Sequence, residues 1–208
     1  MAETEPNDVF QFSTFTAFNA GYKHGQISTD DLLSHGADGI GIYDDGTLMM
    51  LRNGEAFSLQ RDGTAELAAV ESHLSFAMVT VYQPTFRAKI PSLTLEGLEE
   101  LASSPEYGPV RGINTLMPFK VTGVFESIEL NCGIKKNTPG TIFGFIVPAW
   151  MKHISGPRIQ AHFLDANETL GSSVTDFYMG EEATLSFAKC GTFHMGFPEG
   201  DAWEDLKL

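Results

Sequence analysis

A chain of 208 residues with 42% hydrophobic and 19% charged residues is long enough to bury a substantial core, which excludes a disordered segment and fits one domain or two small lobes. Its 27 acidic against 13 basic side chains give a formal charge of −14, which opposes nucleic acid and anionic membrane surfaces as partners. Cys132 and Cys190 form no Cys-x-x-Cys pair and no disulfide framework, so both read as structural thiols in a reducing compartment.

The acidic start, Met1 to Asp8, lacks the cationic and apolar stretches of a signal peptide. The longest apolar run, Thr141 to Trp150, is too short to span a bilayer and contains Pro148. Together these predict a soluble, cytoplasmic protein. Gln11 to Gly21 reads as an ordered lead-in segment. A short helix then runs from Ser28 to His35, with Ser28 as cap, Asp30 and Asp31 in the first turn and Gly36 as the stop. Turn signals at Asp45-Gly46, Asn53-Gly54 and Asp62-Gly63 separate short apolar runs, the pattern of a β-meander.

Ser75 to Gln83 reads as a strand ended by Pro84, and Thr94 to Ser103 as a second capped helix. Beyond Pro118 the pattern is strand after strand: Phe119 to Glu126, Thr141 to Val147, Arg158 to Leu164, Ser173 to Met179, Ala183 to Ala188 and Thr192 to Phe197. The expected class is therefore α+β. It comprises a mixed-sheet N-terminal lobe over residues 1–115 with two short helices, and a C-terminal lobe over 116–208 whose sheet closes into a barrel.

The order of several motifs resembles the α-acetolactate decarboxylase family. Ser28 to Gly63 matches its helix, strand, acidic-Gly turn and Gly-Glu-aromatic motif, and Phe76 to Gln83 its strand ending in a Gln-Pro step. Asn114 to Phe125 matches the Gly-x-Phe segment, with Lys120 where the family usually has arginine; Gly140 to Pro148 matches a Gly-Thr-x-x-Gly-Phe strand. The likeness runs from about residue 26 to 198 and implies the fold of that family. It also implies a zinc site on a His-x-His strand followed by a further histidine, at positions that here hold Gln160, His162 and Ser173. One imidazole, one amide and one hydroxyl make a poor zinc set, so no metal or other cofactor is expected. The family's catalytic arginine has no counterpart among the residues from Glu126 to Gly140.

Strand alternation places Arg158, Gln160, His162 and Leu164 on one face. Arg158 is a candidate to supply the positive charge that zinc would otherwise bring, and its alternative is a solvent-facing strand start. Glu55 matches the family's catalytic glutamate and is a candidate proton carrier; by itself, a glutamate after an Asn-Gly turn is simply exposed. His162 is a candidate acid, base or binding group, against the reading of a hydrogen-bonded core histidine, and Gln160, Ser173 and Lys120 are candidate substrate-binding groups.

Three functions follow. The first is a metal-independent enzyme of lyase, isomerase or cyclase type in specialised metabolism, working on a small oxygenated molecule in a repurposed decarboxylase pocket. The second is zinc-dependent conversion of acetolactate to acetoin, and the third a non-catalytic ligand-binding pseudoenzyme. A homodimer is compatible with the family likeness.

Overall fold

The computed structural model describes residues 6–105 and 111–208, so the first five residues, part of the acidic start, lie outside it. Its fifteen described strands form two sheets that stack face to face. The first contains β1 (Val9–Phe12), β2 (Ile27–Ser28), β3 (Asp38–Tyr43), β4 (Leu48–Arg52), β5 (Glu55–Leu59), β6 (Ala65–Leu67) and β7 (His73–Thr80), with β15 (Phe193–Gly196) at its edge. The expected meander is β3 to β6, every pair antiparallel. At its centre Asn53 and Gly54 both take positive φ, 52° and 85°, the combination that a two-residue hairpin turn requires and that Asn-Gly adopts at least cost.

The second sheet runs β8 (Phe86–Ile90), β14 (Ala183–Phe187), β10 (Met117–Leu130), β11 (Gly133–Ile146), β12 (Ile159–Asp165), β13 (Gly171–Met179) and β9 (Leu93–Thr94). The strand β10 is long enough to do two things. Its first half pairs with β14, and its last residues, Ser127 to Leu130, pair with β13. The four strands β10 to β13 therefore close on one another, while β8, β14 and β9 stay outside the ring. The barrel expected from the sequence is thus a partial ring, and the edges at β8 and β9 remain.

A division at residue 115 does not coincide with the sheets: β8 and β9 precede it and belong to the second, whereas β15 returns to the first by pairing parallel with β1. Of the expected helices, α2 (Thr29–Leu33) and α3 (Leu95–Ser103) start where Ser28 and Thr94 accept hydrogen bonds from the first-turn amides of Asp31 and Gly97. The lead-in contains α1 (Phe15–Asn19), and α4 (Lys152–Ser155) and α5 (Asp201–Glu204) are too short to carry a sequence periodicity. Among the described residues no helix is long and apolar enough to cross a membrane.

Three apolar layers follow from strand alternation. Phe119, Phe125, Phe163 and Phe177 fill the ring with Leu98 and Ala102 of α3, Phe125 meeting Phe163 edge to face at 5.3 Å. Ile40, Met50, Phe57, Phe76 and Met78 of the first sheet pack against Phe143, Phe145 and Leu164 of the second. Leu32 of α2 joins Met49, Leu51, Ala77 and Val79 on the outer face of the first sheet. Two glycines of the Gly-Thr-x-x-Gly-Phe strand let β12 approach. A Cβ on Gly140 would fall 2.4 Å from the Phe163 ring, and one on Gly144 2.3 Å from the Gln160 carbonyl.

Candidate functional site

Cross-strand pairing aligns one residue from each of five strands: Ser186 of β14, Lys120 of β10, Phe143 of β11, His162 of β12 and Ser173 of β13. Directly paired residues share a face, and Phe143 puts this one in the layer between the sheets. Three candidate residues, Lys120, His162 and Ser173, thus fall in a single row, with Gln160 two positions from His162 on the same face.

His162 is 4% exposed, and its Nδ1 lies 2.8 Å from the backbone oxygen of Met49 in β4. A carbonyl only accepts, so Nδ1 carries the proton and donates it, leaving Nε2 with a free lone pair. Burial holds the imidazole down to about 4, against a smaller opposing effect of the Met49 hydrogen bond. At neutral pH the ring is uncharged. So low a value makes it a weak proton acceptor and leaves it a hydrogen-bonding group.

Gln160 Oε1 and Ser173 Oγ are both buried without a hydrogen-bond partner among the described residues. Gly156, at φ 107°, stands against Gln160: a Cβ there would lie 3.0 Å from Oε1 and 3.1 Å from the Phe15 ring. The cover over this end of the row is therefore made by α1 and the segment after Pro148. They are joined by the Thr16 hydroxyl, which donates to the His153 carbonyl at 2.6 Å. Gln11 pins the same segment, donating to the Ile154 carbonyl at 2.8 Å and accepting from Ser155 Oγ at 2.6 Å.

Lys120 reaches across to the first sheet. Its Nζ is 2.8 Å from Asp38 Oδ1 of β3 and sits over the rings of Tyr82 and Phe143 at 5.1 and 5.7 Å. Tyr82 donates to Ser186 Oγ at 2.8 Å, and burial raises its phenol well above the ordinary tyrosine range. Sequence reasoning passed over Asp38 and Tyr82. Asp38 has one visible signal, parity, since it shares the inward face of Ile40 along β3, whereas Tyr82 lies beyond the end of β7 and carries none.

Two candidates stand elsewhere. Arg158 precedes β12 and turns toward α3, where it pairs with Glu99 at 3.2 Å, donates to Ser103 Oγ at 3.2 Å and contacts the Gly112 and Val147 carbonyls. The guanidinium, expected as a pocket group, thus makes four hydrogen bonds on the side of α3 rather than joining the row. Arg158→Ala should lower stability by about 2 kcal/mol in urea denaturation while leaving ligand affinity unchanged. A tenfold affinity loss at unchanged stability would return Arg158 to the site. Glu55 is exposed at the start of β5, opposite Arg52, whereas the β5 residue opposite Met49 is Ser58. The structure does not bring Glu55 into the row.

Trp150 is 64% exposed and donates to the Asn114 carbonyl, whereas Met49, Met50, Phe143 and Phe145 are buried. Burial pushes the Cys190 thiol up to about 11, in keeping with a structural role.

The residues present do not fit the zinc that the sequence likeness implies. His162 offers one imidazole nitrogen, while Gln160 and Ser173 offer a neutral amide and hydroxyl, weak partners for this ion. Among the described residues no group of three His, Cys, Asp or Glu side chains could hold a metal.

Residues 9–139 and 133–208 match the family model for alpha-acetolactate decarboxylase. The chain is 27% identical to the alpha-acetolactate decarboxylase of Methylococcus capsulatus over 98% of its own length and 85% of that protein, and 25% identical to that of Bacillus subtilis over 92% and 82%. Its fold superposes on the crystal structure of acetolactate decarboxylase from Bacillus subtilis subspecies spizizenii with a TM-score of 0.88, at 22% identity over 96% of this chain and 94% of that one. A Staphylococcus aureus protein of unknown function similar to alpha-acetolactate decarboxylase superposes with a TM-score of 0.85, at 16% identity over 96% and 97%. With both halves of the chain matched and one fold shared throughout, this protein belongs to the alpha-acetolactate decarboxylase family.

Proposed function

We propose that the protein acts on a small oxygenated organic molecule held between its sheets, by lyase, isomerase or ring-forming chemistry governed by hydrogen bonding and shape. The observation that carries this reading is the pair of buried oxygens, Gln160 Oε1 and Ser173 Oγ, without a partner among the described residues and on the same face as an imidazole with one free lone pair. A buried polar atom left unpaired costs about 1–3 kcal/mol, so these atoms are explained if a ligand meets them. Apolar walls with few polar groups suit a neutral or singly charged small molecule. Catalysis then rests on fixing a reactive conformer and stabilising developing charge on oxygen, since the His162 ring is too weak a base to lead.

Hydroxy-ketones and 2-hydroxy-3-oxo acids are the compounds to screen, by thermal shift with product analysis. A ligand present at a hundred times its Kd should stabilise the protein by about 2.7 kcal/mol. Gln160→Leu with Ser173→Ala should weaken that ligand at least tenfold. Unchanged affinity in the double variant would remove these groups from the site, and stabilisation without turnover would mark a non-catalytic binding protein. Family membership favours a second reading, conversion of acetolactate to acetoin with zinc. Acetoin release abolished by a chelator would establish it.

A further inference from the structure

We propose that this chain has lost the family's metal site by chemistry and kept it by geometry, so that it retains no zinc as it stands and regains a zinc site when two side chains are changed. The three positions still converge. Ser173 lies directly opposite His162 in the β12–β13 ladder, and Gln160 is two residues from His162 on the same face. The imidazole is already oriented as a ligand would be: its Nδ1–H is spent on the Met49 carbonyl, which leaves Nε2 as the one donor. The other two positions present uncharged oxygens, and among the described residues no group of three His, Cys, Asp or Glu side chains forms a metal-holding cluster. A site with a single nitrogen donor cannot compete with water for the ion, whereas three neutral imidazoles with an open fourth position form a complete set.

The inference concerns the ion alone and does not depend on which substrate is turned over. Its test is elemental analysis of the full chain, purified without metal affinity, exposed to equimolar zinc chloride and dialysed, beside Gln160→His/Ser173→His treated identically. The expected result is almost no zinc on the unmodified chain and roughly one zinc per chain on the double variant. About one retained zinc on the unmodified chain overturns the proposal. So does a double variant that keeps its circular dichroism spectrum yet binds none, because the geometry would then not have survived. Should the double variant fail to fold, Ser173→His alone, which sets a second imidazole directly opposite His162, should retain more zinc than the unmodified chain, and a folded single variant with no gain overturns the proposal.

Discussion

Lys120→Met is expected to lower the free energy of unfolding by about 3 kcal/mol, because it strands Asp38 as an unpaired charge between two sheets. The Asp38 side chain is only 7% exposed and its partner amine, 2.8 Å away, is the group that compensates its burial. Lys120 is itself 23% exposed, so water offers part of the compensation, and the low end of the range for broken buried pairs applies. Removing both charges should cost less than removing one. Asp38→Asn combined with Lys120→Met is expected to recover at least half of the loss in urea denaturation. If Lys120→Met lay within about 0.5 kcal/mol of the parent, the ion pair would not be a tie between the sheets.

The second large effect is on pH dependence. Folding lowers the His162 ring from 6.5 to about 4. As pH falls from about 6.5 to about 4, the unfolded chain takes up a proton that the folded chain refuses, so stability falls across that window and levels below it. At 1.36 kcal/mol per pH unit the total is about 3 kcal/mol. Carboxylates contribute a slope of their own, so the quantity to measure is the difference between the parent and His162→Asn. The asparagine amide can still donate to the Met49 carbonyl but does not titrate. The parent should lose more stability than the variant between those limits; coincident profiles would show that His162 is protonated without cost in the folded state.

The row of site residues was readable in part. The alternation along Ile159 to Leu164 placed Gln160 and His162 on a common face, and the ladder pairs them with Phe145 and Phe143, which lie together in the layer between the sheets. Arg158 obeyed no such rule. It precedes the first paired residue of its strand and is captured by acceptors around α3, groups drawn from residues 99 to 112 and from Val147. Lys120 was legible as a candidate substrate-binding group. Its partner in β3 was not, because 82 residues of chain separate the two and only the stacking of the sheets makes them neighbours.

The sequence by itself determined the elements whose causes are local. Asn53-Gly54 dictates its turn through the φ values each residue tolerates, and Ser28 and Thr94 start helices by capping amides three residues on. It also carried the family likeness, which rests on motifs in order. Tertiary structure alone decided that β15 returns to pair with β1 and that β10 closes onto β13. It decided likewise that the carbonyl of Met49 fixes the tautomer of His162. These outcomes depend on which surfaces stack. Period-two patterning specifies the face that a strand buries but not the strand that covers it, so the partner of each buried polar group is settled only when the two sheets meet.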